Sequence, residues 1–243
     1  CHSLICYCER SFGFDLILKK KLTKLLNREG LAKIKHVLSG LLGSNVLDLV
    51  AVDPVFCPTN EHWQGHHHAC GFLNLPIKND DWQIDKHLKQ FLDLGSAPVY
   101  MTLGSLQQAV PEWSMELFIK ATHIAGCRAI IQTSSKKYPA NSQQENIFFI
   151  GSHPHQSLFK HCAAIVHHGG AGTTHSASIC SRPSIVIPFM DEQLFWAITL
   201  KKLGLASSPL AARNANAQQL ASRIGKILSN DIYQKNAAKV GAI

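Results

Sequence analysis

The sequence predicts a Rossmann-like, doubly wound α/β domain over residues 83–243, a parallel sheet with helices on both faces. Three observations predict it. Short apolar runs recur at 98–103, 128–132, 147–150, 163–167 and 184–187. Helix-length segments separate most of them, the alternation that βα units require. The runs are apolar at nearly every position, the pattern of strands buried on both faces. Ligands of such sheets bind beyond the carboxyl ends of the strands, so candidate site residues belong there.

Residues 1–52 are rich in leucine and lysine and are expected to be a remnant of another domain. Between Asp15 and Leu38, apolar residues recur at Leu18, Leu22, Leu25 and Leu26, while Lys19, Lys20, Lys21, Lys24 and Arg28 decorate the other face. That spacing predicts a basic helix with a solvated polar face. Peripheral contact with an anionic lipid surface is the alternative. Residues 53–82 lose periodicity, and Asp53-Pro54, Cys57-Pro58, Gly65, Gly71 and Pro76 predict a linker. His62, His66, His67, His68 and Cys70 within it raise the question of a metal. A His-x3-His pair ligates well from a regular helix, which Gly65 and the nearby prolines disfavour. A solvated or packing role is expected there, and no metal is assigned.

In the α/β domain, the first strand ends at Gly104-Ser105. A helix over 111–125 follows, with Pro111 in its first turn. Gly151 stops the third strand and Pro188 the fifth. Helices are expected near 155–161, 173–180, 191–203 and 216–229.

Composition narrows the class. Of the 243 residues, 46% are hydrophobic and 16% charged, which excludes intrinsic disorder. A net charge of +8 permits a polyanion, an anionic membrane or a phosphate-bearing small molecule. The basic residues are spread out and lack the aromatic platforms of nucleic-acid sites, so no nucleic-acid partner is expected. The eight cysteines make neither a CxxC pair nor a disulfide framework, as in a cytoplasmic protein with reduced thiols. No stretch approaches the ~20 apolar residues of a membrane span, and no segment reads as a signal peptide. The chain starts at Cys1 rather than methionine, so we expect a fragment.

The chemistry concentrates where the fourth strand runs into His168, Gly169, Gly170, Ala171, Gly172, Thr173 and Thr174. Glycines let the backbone approach a ligand and turn into the next helix. The first helical amides are unpaired, with the positive end of the helix dipole behind them, which makes a phosphate site. Thr173 and Thr174 add hydroxyls, and His168 an imidazole donor. The spacing is neither G-x-G-x-x-G nor a P-loop, which would place a lysine at the helix start. Without that lysine, and without an acidic magnesium ligand close by, metal-independent handling of a diphosphate is expected.

These residues resemble the nucleotide-sugar signature of the UDP-glycosyltransferases with the two-domain GT-B fold. The sterol glucosyltransferases and the bacterial macrolide and glycopeptide glycosyltransferases are the most similar in style. The likeness continues through Pro154-His155-Gln156-Ser157-Leu158-Phe159, residues 182–188, and Glu192-Gln193 with Trp196-Ala197. By that resemblance His168 and residues 169–173 would hold the donor diphosphate, and Glu192 and Gln193 the sugar hydroxyls. Gly104, Ser105, His153 and His155 would line the nucleoside pocket. The resemblance implies an inverting, metal-independent transfer of a hexose from a UDP-sugar, with UDP-glucose the default. The acceptor would be a hydroxyl of a lipid, sterol or small molecule; no cofactor is implied. The family's tryptophan on uracil would align with Ser152 and its ribose-gripping acid near Ser176, so both contacts differ here. The general base is expected upstream of this sequence, and no residue is assigned to it. The chain also lacks the last crossing helix of such folds, so it is not expected to turn over alone. The alternatives are a non-catalytic nucleotide-sugar-binding module or another GT-B enzyme using UDP-GlcNAc.

Overall fold

The structure is a computed structural model that describes residues 12–30, 44, 46–58, 65–73 and 84–243. The chain divides into two compact units, Cys1–Leu75 and Pro76–Ile243.

In the first unit, helix α1 spans Phe12–Arg28, with Lys19, Lys20, Lys21, Lys24 and Arg28 exposed as the spacing predicts. The rest of that expected helix, 31–38, lies outside the described residues. Strands β1 (Asp48–Val50) and β2 (His67–Ala69) pair in parallel, Asp48 opposite His67 and Val50 opposite Ala69. The stretch expected to be a linker therefore holds a strand, and the units divide within that stretch, at Leu75 and Pro76. The sequence His67-His68-Ala69 carries no apolar pattern. Its pairing rests on backbone hydrogen bonds, which hydropathy does not read. His62 and residues 74–83 lie outside the described residues.

The second unit opens with helix α2 (Lys86–Asp93), which the sequence reading did not anticipate. Asp85 caps it, accepting from the His87 and Leu88 amides, and Leu88 and Phe91 are its buried side. Then come β3 (Val99–Met101), α3 (Pro111–Ala125), β4 (Ala129–Gln132), β5 (Ser142–Gln144), β6 (Ile147–Ile150) and α4 (His155–Phe159). They are followed by β7 (Ala164–His167), α5 (Ala171–Ile179), β8 (Ser184–Val186), α6 (Asp191–Lys202), α7 (Ala217–Leu228) and α8 (Asp231–Gly241). The strand order is β5-β6-β4-β3-β7-β8, parallel throughout except for β5. All five predicted strands are present. The sixth, β5, reads Ser-Gln-Gln and gives no apolar signal; it pairs antiparallel along the edge of β6. The same polarity suits an edge strand half open to water.

Strand side chains alternate between two apolar layers. Val99, Met101, Ile131, Phe149 and Val166 face α3 and α7, where Phe118, Ala121, Leu220 and Ile224 are fully buried. Tyr100, Ile130, Phe148 and Ile165 face the other way, against Leu88, Phe91, Phe159 and Ala177 from α2, α4 and α5. Arg128 secures α2 to the sheet: its guanidinium lies 4.2 Å over the Phe91 ring and donates to the Phe91 and Ser96 carbonyls. No described helix is long and apolar enough to cross a membrane. Cys70, Cys127, Cys162 and Cys180 carry free thiols.

Candidate functional site

The chain winds outward from β3 through β4 to β6, then returns to place β7 on the other side of β3. The carboxyl ends of β3 and β7 thus form the topological switch point, where a doubly wound sheet opens a crevice for a ligand. Gly104 leaves β3 there, and His168 leaves β7.

Two local devices shape the β3 turn. Gly104 takes a left-handed φ of 57°, and its amide donates to Thr102 Oγ1 at 2.8 Å. Thr102 Oγ1 donates in turn to Gln132 Oε1 at 2.5 Å, which also accepts from the Tyr100 hydroxyl at 3.3 Å. This Thr102–Gln132–Tyr100 set ties the turn to the neighbouring strand β4. Ser105 is exposed.

The β7 turn is tighter. His167 is fully buried, and its Nδ1 accepts from the Gly169 amide at 3.1 Å. Gly169 adopts φ of 96° and Gly170 forms the N-cap of α5, with no side chain capping the helix. The first amides of α5 are therefore left to solvent or a ligand. The half-buried His168 imidazole is wedged between two glycines. A Cβ on Gly104 would lie 2.9 Å from its Cε1, and one on Gly170 would overlap its Nε2. The structure thus brings Gly104, His168 and Gly170 into direct contact. Thr173 is 6% exposed, at the edge of this turn, whereas the fully buried Thr174 hydroxyl faces inward and is not available as the second donor expected.

His153 and His155 stand next to this wedge. His153 crosses the Tyr100 ring edge-on at 5.4 Å and holds the Gly151 carbonyl with Nδ1 at 3.0 Å. His155 stacks on Phe159 at 4.8 Å. Burial lowers His155 to about 4, with the charges of His153 and His168 adding to the effect. Burial lowers His168 as well, and takes His167 to about 3, helped by His168 and His155. The cluster is neutral at physiological pH, so His168 offers a hydrogen bond rather than a full charge.

The α6 N-terminus closes the far side. Gln193 is buried, and its Oε1 accepts from the Phe189 amide at 2.8 Å, so that oxygen shapes the β8–α6 loop. Its backbone carbonyl would lie 2.9 Å from a Cβ on Gly169, which places the two expected subsites in contact. Glu192 is half-buried and accepts from Trp196 Nε1 at 2.7 Å. Burial raises its carboxyl and the Trp196 hydrogen bond opposes that rise.

Sequence reasoning matched Trp196 to the family motif but gave it no role; the i,i+4 spacing from Glu192 was the available signal. It also missed a cavity of about 520 Å³ lined by Val110, Trp113, Phe189, Met190, Asp191 and Arg213, among others. The cavity holds none of the expected diphosphate residues. Its lining comes from three separate elements, which no local motif links.

Comparison with known proteins agrees with this fold. Residues 127–242 match the family described as erythromycin biosynthesis protein CIII-like, C-terminal domain. A sterol 3-beta-glucosyltransferase of Arabidopsis thaliana is 30% identical over 163 residues, 66% of this chain and 26% of that protein. The vancomycin aglycone glucosyltransferase of Amycolatopsis orientalis is 34% identical over 156 residues, 64% of this chain and 37% of that protein. The chain thus spans well under half the length of these relatives. The solved glycosyltransferase of kitacinnamycin superposes with a TM-score of 0.68 at 16% identity, over 92% of this chain and 56% of that one. Glycosyltransferase VinC in complex with DTDP gives 0.65 at 20% identity, over 93% and 53%. Residues 127–242 thus match the EryCIII-like C-terminal domain, the chain is similar to sterol and glycopeptide glucosyltransferases, and its fold is that of the GT-B glycosyltransferases.

Proposed function

We propose that this chain is the donor-binding half of a UDP-dependent glycosyltransferase. It takes UDP-glucose for inverting, metal-independent transfer of the hexose to a hydroxyl of a lipid, sterol or small-molecule acceptor. The observation that carries the reading is the uncapped N-terminus of α5 at the switch point, with His168 wedged beside it. The names of the sterol and vancomycin aglycone glucosyltransferases support glucose as the sugar. The VinC complex with DTDP supports a nucleoside diphosphate carrier.

An oxocarbenium-like transition state leaves growing charge on the departing diphosphate. The amides of Gly170 to Thr173, the α5 dipole and His168 are fixed before the reaction and point where that charge develops. Residues 167–175 include no Asp or Glu to ligate magnesium, so these neutral donors carry the stabilisation. Gly104, Ser105, His153 and His155 line the nucleoside side, and Glu192 and Gln193 the sugar side. The exposed lysines of α1 suit peripheral contact with a membrane that supplies a lipid or sterol acceptor.

Calorimetric titration of the chain with UDP, UDP-glucose and dTDP in EDTA tests the reading. UDP and UDP-glucose should bind without metal. His168→Ala should weaken both by about 1.5–3 kcal/mol, the usual size of a hydrogen bond to a charged group. His168→Asn, which keeps a donor, should lose less. A folded chain that binds no nucleotide, or equal binding by wild type and His168→Ala, would refute it; preference for dTDP would move the donor class.

A second variant addresses the sugar. Trp196→Phe keeps an apolar ring at a fully packed position but deletes the donor to Glu192. UDP affinity should stay within twofold, while the advantage of UDP-glucose over UDP should fall roughly tenfold, about 1.4 kcal/mol. An unchanged ratio would take Glu192 off the sugar.

A further inference from the structure

We infer that Asp48, His66 and His67 form a divalent transition-metal site, zinc by its donor set, that joins β1 to β2. The site lies in the first unit and does not depend on the donor-site proposal. The parallel register sets Asp48 opposite His67. His66 precedes β2 in the turn after Gly65, and that turn brings its ring beside His67, centroids 4.3 Å apart. Both rings present Nε2 to the same carboxylate oxygen: His67 at 3.2 Å and His66 at 3.9 Å from Asp48 Oδ2. All three ligand atoms lie within 4.8 Å of one another.

A hydrogen bond accounts for His67 alone, because 3.9 Å is beyond hydrogen-bond range for His66. A cation accounts for both. Zinc bonds of roughly 2.0–2.1 Å in tetrahedral geometry hold ligand atoms about 3.3 Å apart. The observed spacings reach that with side-chain shifts of about 1 Å, and the fourth position falls to water. The rest of the carboxylate is already secured: Asp48 Oδ1 accepts from the Ser44 amide at 2.7 Å, leaving Oδ2 toward the rings. Such support of a ligand by an outer hydrogen bond is typical of metal centres. Two imidazoles and one carboxylate suit zinc better than calcium or magnesium, which prefer all-oxygen cages. The side chains are 17–29% exposed, so an ion can enter and still be shielded. By bridging strands separated by a long connection, the metal would stabilise their pairing in the folded state.

The test uses the full untagged chain, stripped with EDTA and dialysed against Zn²⁺, with Co²⁺ as the spectroscopic substitute. One equivalent should bind per chain, with the visible spectrum of a four-coordinate nitrogen and oxygen site. His66→Ala, His67→Ala and Asp48→Asn should each weaken Zn²⁺ at least tenfold. Asp48→Asn retains the Ser44 acceptor and the side-chain shape, so it is the variant that keeps the fold. Unchanged circular dichroism of its metal-free form will confirm that. His68→Ala and Cys70→Ser should stay within twofold of wild type. No stoichiometric binding, binding indifferent to all three ligand variants, or an equal loss from His68→Ala would each overturn the site.

Discussion

Replacing Gly169 by alanine is expected to lower the unfolding free energy by about 2–5 kcal/mol and to abolish nucleotide binding. Two costs combine. A φ of 96° is outside the regions open to a residue with a Cβ, and forcing alanine there costs about 1–2 kcal/mol. The new methyl would also sit 2.8 Å from Val186 Cγ1 and 2.9 Å from the Gln193 carbonyl oxygen. That carbonyl belongs to the α6 backbone and cannot swing aside, so overpacking adds about 1–3 kcal/mol. For a domain of ordinary stability, ~5–15 kcal/mol, the loss is a large share of the whole. Gly172→Ala separates fold from site. A Cβ there meets nothing within 4 Å. In a helix, alanine should hold or raise stability by about 0.5–1 kcal/mol. Yet the position sits on the exposed first turn of α5, where a bound diphosphate would meet the methyl. Urea denaturation and UDP titration of both variants provide the check. Unimpaired stability in Gly169→Ala would contradict the packing argument, and undiminished binding in Gly172→Ala would move the diphosphate off α5.

The difference between these two glycines was not legible in the sequence, where both belong to one glycine-rich turn. Which glycine is demanded by backbone geometry and which by a ligand depends on neighbours from α6 and β8, far along the chain. The strands fared better. Residues 147–150 and 164–167 are buried at every position, so hydropathy alone reveals them. Strands β2 and β5 left no such trace, because a pair of histidines or Ser-Gln-Gln enters a sheet through its backbone only. Helix α2 was legible and overlooked: Asp85 is an N-cap residue three positions before Leu88, with Phe91 three further on. The site shows the same division. The His168 to Thr173 turn is local in sequence, so one glycine-rich run marks it. The Thr102–Gln132–Tyr100 set and the Trp196 bond to Glu192 needed the fold to bring their members together or give them a role. At β2, seeking metal ligands only at helical spacing hid the approach of His66 and His67 to Asp48 on a neighbouring strand.

Between pH 7 and 5 the folded protein should lose about 4 kcal/mol of stability, before most of its carboxylates titrate. Burial holds His167 at about 3, and His155 and His175 at about 4, against 6.5 for an exposed histidine. Folded-state values depressed in this way mean that these rings stay neutral in the native protein. The unfolded chain takes up protons below pH 6.5. Stability is therefore constant above that pH and falls as pH drops, levelling off only below the folded values of about 3 and 4. At pH 5 a fully buried ring costs about 2 kcal/mol by this linkage. His167 meets that description. His155 and His175 keep some solvent contact, so each contributes roughly half as much. Most unperturbed carboxylates, near 4, are still ionised at pH 5, so the window isolates the histidines. His167→Asn supplies the control: its Oδ1 can accept from the Gly169 amide as Nδ1 does, and it cannot take up a proton in this range. Urea midpoints at pH 7 and pH 5 should draw apart strongly in the wild type and by about 2 kcal/mol less in His167→Asn. Equal midpoints at the two pH values, or an undiminished drop in the variant, would show that the buried histidine of β7 does not set the acid limit of the domain. The same neutrality serves the proposed chemistry, since the nearby wedged imidazole of His168 can donate to a diphosphate at pH 7 without an ionic tie that would slow its release.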